Sequence, residues 1–109
     1  MAMRTFPALG FDPAPGSPSA VLAQARDADR AARALSGAAV AAGRLDARWR
    51  GAAAEACRDH TRELPGDLGR AAAAHGTLAR ELASYADDLA ARQLRAADLE
   101  DRAAALRAR

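Results

Sequence analysis

Lysine is missing from this chain altogether, and cysteine, aromatic residues and long apolar runs are scarce. All 16 basic residues are Arg. Beside 34 Ala, this reads as the codon bias of a high-GC genome and carries no functional message. A single Cys excludes an internal disulfide framework. Two Phe, one Tyr and one Trp leave little aromatic area for a core. Nucleic-acid binding calls for a one-sided basic stripe with interleaved aromatics. Here the net charge is only +2 and Arg alternates with Asp and Glu, so no nucleic-acid partner is expected. No apolar run approaches the length of a membrane span, so no stable membrane insertion is expected. A basic leader followed by an apolar stretch and a small-residue cleavage site is also lacking, which predicts that any export is of a folded chain or by a non-Sec route.

What is present is helical periodicity. Upstream of Trp49-Arg50-Gly51, positions alternating three and four apart are Val21, Gln24, Ala28, Ala31, Leu35, Ala38, Ala42, Leu45 and Trp49. Downstream they are Ala54, Cys57, Thr61, Leu64, Leu68, Ala71, His75, Leu78, Leu82, Tyr85 and Leu89, running on through Arg92, Ala96, Leu99, Ala103 and Leu106. Such spacing lays a narrow apolar seam along one side of a helix, suited to pairing with another helix. The fold class expected is all-α: an antiparallel two-helix hairpin, the second helix longer, pairing into a four-helix bundle. Pairs four apart, such as Asp29/Arg33, Asp88/Arg92 and Asp98/Arg102, mark solvated faces.

Residues 1–16 hold three Pro and two Gly, too many breakers for a helix, yet Phe6, Leu9 and Phe11 are apolar enough to fold back as an ordered lead-in. Residues 17–109 form the hairpin domain. Ser17 followed by Pro18 is a helix start, a hydroxyl cap and then proline at the first helical position. The first helix is expected over about 18–47, weakened at Gly37 and Gly43, which would also permit close helix–helix approach. A turn at 49–51 leads to a second helix over about 52–107. Leu64-Pro65-Gly66 interrupts it. The unshifted heptad across Pro65 favours a bent, continuous helix over a break that gives three helices. From about 90 the seam weakens at Arg92 and the end is expected to fray.

Trp49-Arg50-Gly51 between two helices resembles the Trp-X-Gly (WXG) family of type VII secretion substrates. Within it the chain is most similar to the N-terminal secretion-signal domain of actinobacterial polymorphic toxins. The likeness spans nearly the whole chain. It rests on the lead-in from Leu9 to Gly16, the Trp-X-Gly turn, Glu63-Leu64-Pro65 and the Ala/Leu seam ending around Tyr85. The resemblance implies a hairpin that dimerises, with a helical WXG-type protein or with itself. It also implies export from the cytoplasm by an ATP-driven machine, to the cell surface or medium, without a cleaved signal peptide. Two positions depart from the family pattern. Cys57 stands where an aromatic is common, and Tyr85 is followed four residues later by Leu89 in place of an acid, with Asp88 one place early. Tyr85 and Asp88 are therefore a degenerate candidate for the secretion signal, and a partner is the other candidate carrier.

Each sharp reading has a plain counterpart. Cys57, His60 and Glu63 lie about a turn apart, but no second cluster completes a metal site, so Cys57 reads as a packed thiol and no metal is assigned. His75, between Ala71 and Leu78 on the seam, reads as a satisfied interface histidine. Trp49 reads as a plug closing the hairpin, with recognition by the secretion machine as the alternative. Gly51 is expected to supply a backbone conformation or a close contact that a Cβ would obstruct. Asp87 and Asp88 are adjacent, about 100° apart on a helix, and make a poor acid/base couple. Neither catalysis nor a cofactor is expected. The expected partner interface is Leu64, Leu68, Leu78, Leu82 and Tyr85, and the function is that of a secretion substrate, targeting domain or partner. The alternative is a cytoplasmic dimerisation or adaptor protein with no export role.

Overall fold

The computed structural model describes residues 4–48, 51, 55–56, 59 and 61–109, with backbone alone at 45–48. Two helices, α1 (Pro18–Arg48) and α2 (Leu64–Arg107), lie antiparallel as a hairpin, with no strand among the described residues. At 1.5 Å per residue the 31 residues of α1 span about 46 Å and the 44 residues of α2 about 66 Å. The radius of gyration is 24.1 Å, against about 13 Å for a compact domain of this length. The molecule is a rod of 86 × 19 × 15 Å, one helix thick.

The start of α1 follows from its sequence. Ser17 Oγ accepts the Ala20 N–H at 3.2 Å, and Pro18 fills a position whose donor a helix does not use. The start of α2 differs from expectation: it lies at Leu64, not near 52. Residues 55–56, 59 and 61 are helical, Arg62 and Glu63 form a turn, and Pro65 falls in the first turn of the new helix. In a helix interior that proline would remove a hydrogen bond and clash with the preceding turn, whereas in the first turn it does neither. Glu63 keeps right-handed backbone (φ −86, ψ −12) and accepts the Asp67 N–H at 2.9 Å, so the interruption displaces the heptad phase little. At its other end α2 is helical to Arg107.

The two arms meet through alanine. Buried between them are Ala25 and Ala28 of α1 and Ala72, Ala79 and Ala86 of α2, and no large side chain is fully buried among the described residues. Leu22, Ala25 and Asp29 share one boundary groove with Gly76, Ala79 and Ala83. Ala32 and Ser36 share the next with Gly69, Ala72 and Ala73, which fixes the antiparallel register. Alanine allows close approach and has the highest helix propensity, but each buried methyl contributes little.

The lead-in covers the part of α2 that outruns α1. Phe6 to Gly10 makes one turn, closed by Gly10 N–H to Phe6 C=O at 2.8 Å. Ala8 and Leu9 donate their N–H groups to the two carboxylate oxygens of Glu100 at 2.7 and 2.9 Å. Gln93 Nε2 donates to the carbonyls of Ala14 and Gly16 at 3.1 and 2.8 Å. Leu89 and Ala96 are buried, as are Ala14 and Glu100.

Candidate interaction surface

A helix turns about 100° per residue, so position within the heptad decides which way each side chain of α2 faces. Leu68, His75, Leu82, Leu89 and Ala96 recur every seven residues and are buried or half-buried. The companion row is Ala72, Ala79 and Ala86 facing α1, continued by Gln93 and Glu100 beneath the lead-in, also seven apart and four residues beyond the first row. The heptad read from the sequence paired the first row with Leu64, Ala71, Leu78, Tyr85, Arg92, Leu99 and Leu106. These lie on its other side. Leu64, Leu78 and Tyr85 are 45%, 48% and 53% exposed, and Arg92, Leu99 and Leu106 are exposed as well.

The same rotation operates in α1. Val21, Leu35 and Ala42 are half-buried and Ala28 is buried, with Ala25, Ala32 and Ala39 as their companions. Gln24 and Ala38, expected on the seam, are exposed, and Ala31 is half-buried. Offsets of the same sign on two antiparallel helices point to the same broad face of the pair. Gln24, Ala31 and Ala38 therefore flank Leu64, Ala71, Leu78 and Tyr85, with Leu35, Leu68, His75 and Leu82 between them. Exposed Asp67, Glu81 and Asp88 rim this face, each three residues beyond Leu64, Leu78 or Tyr85. His75 Nδ1 lies 2.9 Å from the Ala71 carbonyl and is satisfied within its own helix.

The opposite broad face has another character. Its grooves are lined by Gly69, Ala73, Gly76 and Ala83 together with Arg26, Arg33 and Arg80. Ion pairs from Arg33 to Asp29 and from Arg102 to Asp98 close at 3.1 Å on exposed side chains, as the four-residue spacing predicts. Away from this face, Arg30 and Arg70 pair with Asp27 and Asp67, which stand three residues beyond Gln24 and Leu64 on the other side of the pair. Such exposed pairs contribute little to stability. The hairpin thus has one broad face with a heptad row of exposed Leu64, Leu78 and Tyr85, and one whose grooves carry arginine, with Leu22, Val40 and Leu94 exposed among them.

Of the turn residues, Gly51 is described and Trp49 lies outside the described residues, as do Cys57 and His60. Gly51 has φ +105 and its carbonyl accepts the Glu55 N–H at 2.9 Å. A Cβ built there meets no described residue within 4 Å, and the positive φ by itself favours glycine. An added Cβ at Gly37 or Gly43 likewise meets no described residue within 4 Å. Tyr85 and Asp88 both stand exposed on α2, whereas Leu89 is buried. No group of three or more His, Cys, Asp or Glu side chains among the described residues is placed to hold a metal ion. No helix among them is long and apolar enough to cross a membrane.

Gln93 and Glu100 are structural residues that pattern reading missed. Both continue the Ala72, Ala79, Ala86 series at seven-residue steps, so polar side chains in core phase opposite a proline-rich segment were the available signal. No family model, curated protein or solved structure matches the chain.

Proposed function

We propose that this chain is a non-enzymatic pairing module, acting as a WXG-type substrate, targeting domain or partner in type VII secretion. The observation that carries the reading is the apolar broad face. Leu64, Leu78 and Tyr85 stand about half exposed beside half-buried Leu68 and Leu82, in heptad register along a rod one helix thick. A heptad row left outside an intramolecular seam is what a second hairpin would fill to make a four-helix bundle. The partner is a helical WXG-type protein or a second copy of the chain. The pair would form in the cytoplasm and leave by the secretion machine without a cleaved signal. Any toxic activity then belongs to another domain or chain, and the module needs neither a cofactor nor a catalytic residue.

The second reading, a cytoplasmic dimerisation or adaptor protein, is favoured by one observation. Leu89 stands where export substrates often carry an acid, and it is buried beneath the lead-in. Expression of the tagged chain in a type VII-positive actinobacterium separates the readings. Export predicts the chain in the culture supernatant when the secretion ATPase is intact and its loss when the ATPase is disabled. Retention in both strains, with dimerisation preserved, supports the adaptor.

A further inference from the structure

We infer that the lead-in, residues 4–16, is a releasable strap, latched by Glu100 and Gln93, that controls access to the overhanging end of α2. The first ground is the nature of its attachment. The strap is held at discrete polar points, Arg4 to Asp101 at 2.8 Å and Arg107 to the Pro7 carbonyl at 3.5 Å among them. Its own apolar side chains are only partly buried: Phe11 is 63% exposed, Phe6, Ala8 and Leu9 are half-buried, and Ala14 alone among the described lead-in residues is buried. Segments with few buried apolar contacts open at lower free energy than the body they rest on.

The second ground is what lies beneath. Glu100 is a charged group only 5% exposed, and both of its oxygens are used on two successive backbone donors of one turn. A carboxylate there acts as an N-terminal cap supplied from another helix, because the first donors of any turn lack partners of their own. Its bonds form only while the strap is docked, and docking removes Leu89 and Ala96 from water at the same time. Those two residues continue the row of Leu68, Leu82 and its neighbours, so release of the strap lengthens the uncovered apolar surface without touching the α1–α2 seam. The latch and the seam are separate in space. Opening one does not require opening the other.

Thiol labelling of the full chain tests this, with Cys57→Ser as background and either Ala96→Cys beneath the strap or Ala79→Cys beneath α1. Local opening predicts that the thiol at position 96 reacts at least about tenfold faster than that at 79 in native buffer. Adding Glu100→Ala should speed position 96 by about a further tenfold, since two charge-assisted hydrogen bonds are lost, and leave position 79 unchanged. Amide exchange at Ala8 and Leu9 should rise in parallel while that at Ala79 holds. Equal labelling at 79 and 96 in the otherwise unaltered latch, or equal acceleration of both by Glu100→Ala, would show that strap and hairpin open as one unit and overturn the inference.

Discussion

Adding one methyl group at position 16 and at position 37 has opposite expected outcomes. Gly16 has φ +124, where L side chains are strained, and a Cβ there would sit 3.2 Å from Leu89 Cδ2. Gly16→Ala should therefore destabilise the docked lead-in by about 1–2 kcal/mol, from backbone strain alone, with the tight contact adding to it. Gly37 is helical, and an added Cβ meets nothing within 4 Å. Gly37→Ala should stabilise the chain by about 1 kcal/mol through helix propensity. Urea midpoints compared with those of the unaltered chain check both signs. The proline-rich lead-in already sets Gly16 apart from helical Gly37 in the sequence. No local pattern carries the φ angle or the contact with a neighbour 73 positions away, which decide the size of the effect.

Neighbouring residues of α2 divide the work of the element. Ala79 is buried against α1, and Leu78 faces outward. Ala79→Leu should cost about 1–3 kcal/mol by forcing the helices apart. Leu78→Ala should change the stability of the isolated hairpin by less than about 1 kcal/mol, because the side chain is not buried there. Chemical denaturation of the two variants at a concentration too low for association makes the comparison. Pro65→Ala should shift the midpoint by no more than about 0.5 kcal/mol, since the first turn has unused donors in any case. A larger loss, with reduced helicity by circular dichroism, would contradict its place in that turn. These same positions show what was legible. The hairpin, the start of α1 and the shared rows through Leu35 and Leu82 follow from apolar periodicity. The companion row does not, because periodicity weights leucine above alanine, while close packing of two helices prefers alanine. The heptad read from leucines therefore describes the open face, and the alanines beside them describe the seam. The start of α2 escaped for a related reason: a proline in unbroken phase reads as a bend, yet Glu63 with right-handed backbone lets a new helix begin with almost the same phase.

A rod 15 Å thick has a single layer, whereas stable domains usually bury two packed layers around a core. Each arm here buries one edge, chiefly alanine, and α2 buries a second stretch only because the lead-in crosses it. The opposed broad faces make the missing layer a directional question. If the apolar face is the pairing surface, a charge placed on it should abolish association, and the same charge on the polar face should not. Leu78→Asp and Arg80→Asp are two residues apart in the same helix, both exposed, and similar in their effect on helix propensity. Their side chains differ by about 200° around the axis, and Arg80 lines the grooves of the polar face. Light scattering over a range of micromolar concentrations should find the unaltered chain dimeric, or bound to a helical partner encoded beside it. Leu78→Asp should weaken that association by about a hundredfold or more, as expected when a charge is desolvated without a partner, at unchanged helicity of the monomer. Arg80→Asp should leave association within a fewfold of the unaltered chain. Equal loss in both variants would place the interface elsewhere on the rod. A folded monomer throughout, indifferent to helical partners, would mean that one layer suffices.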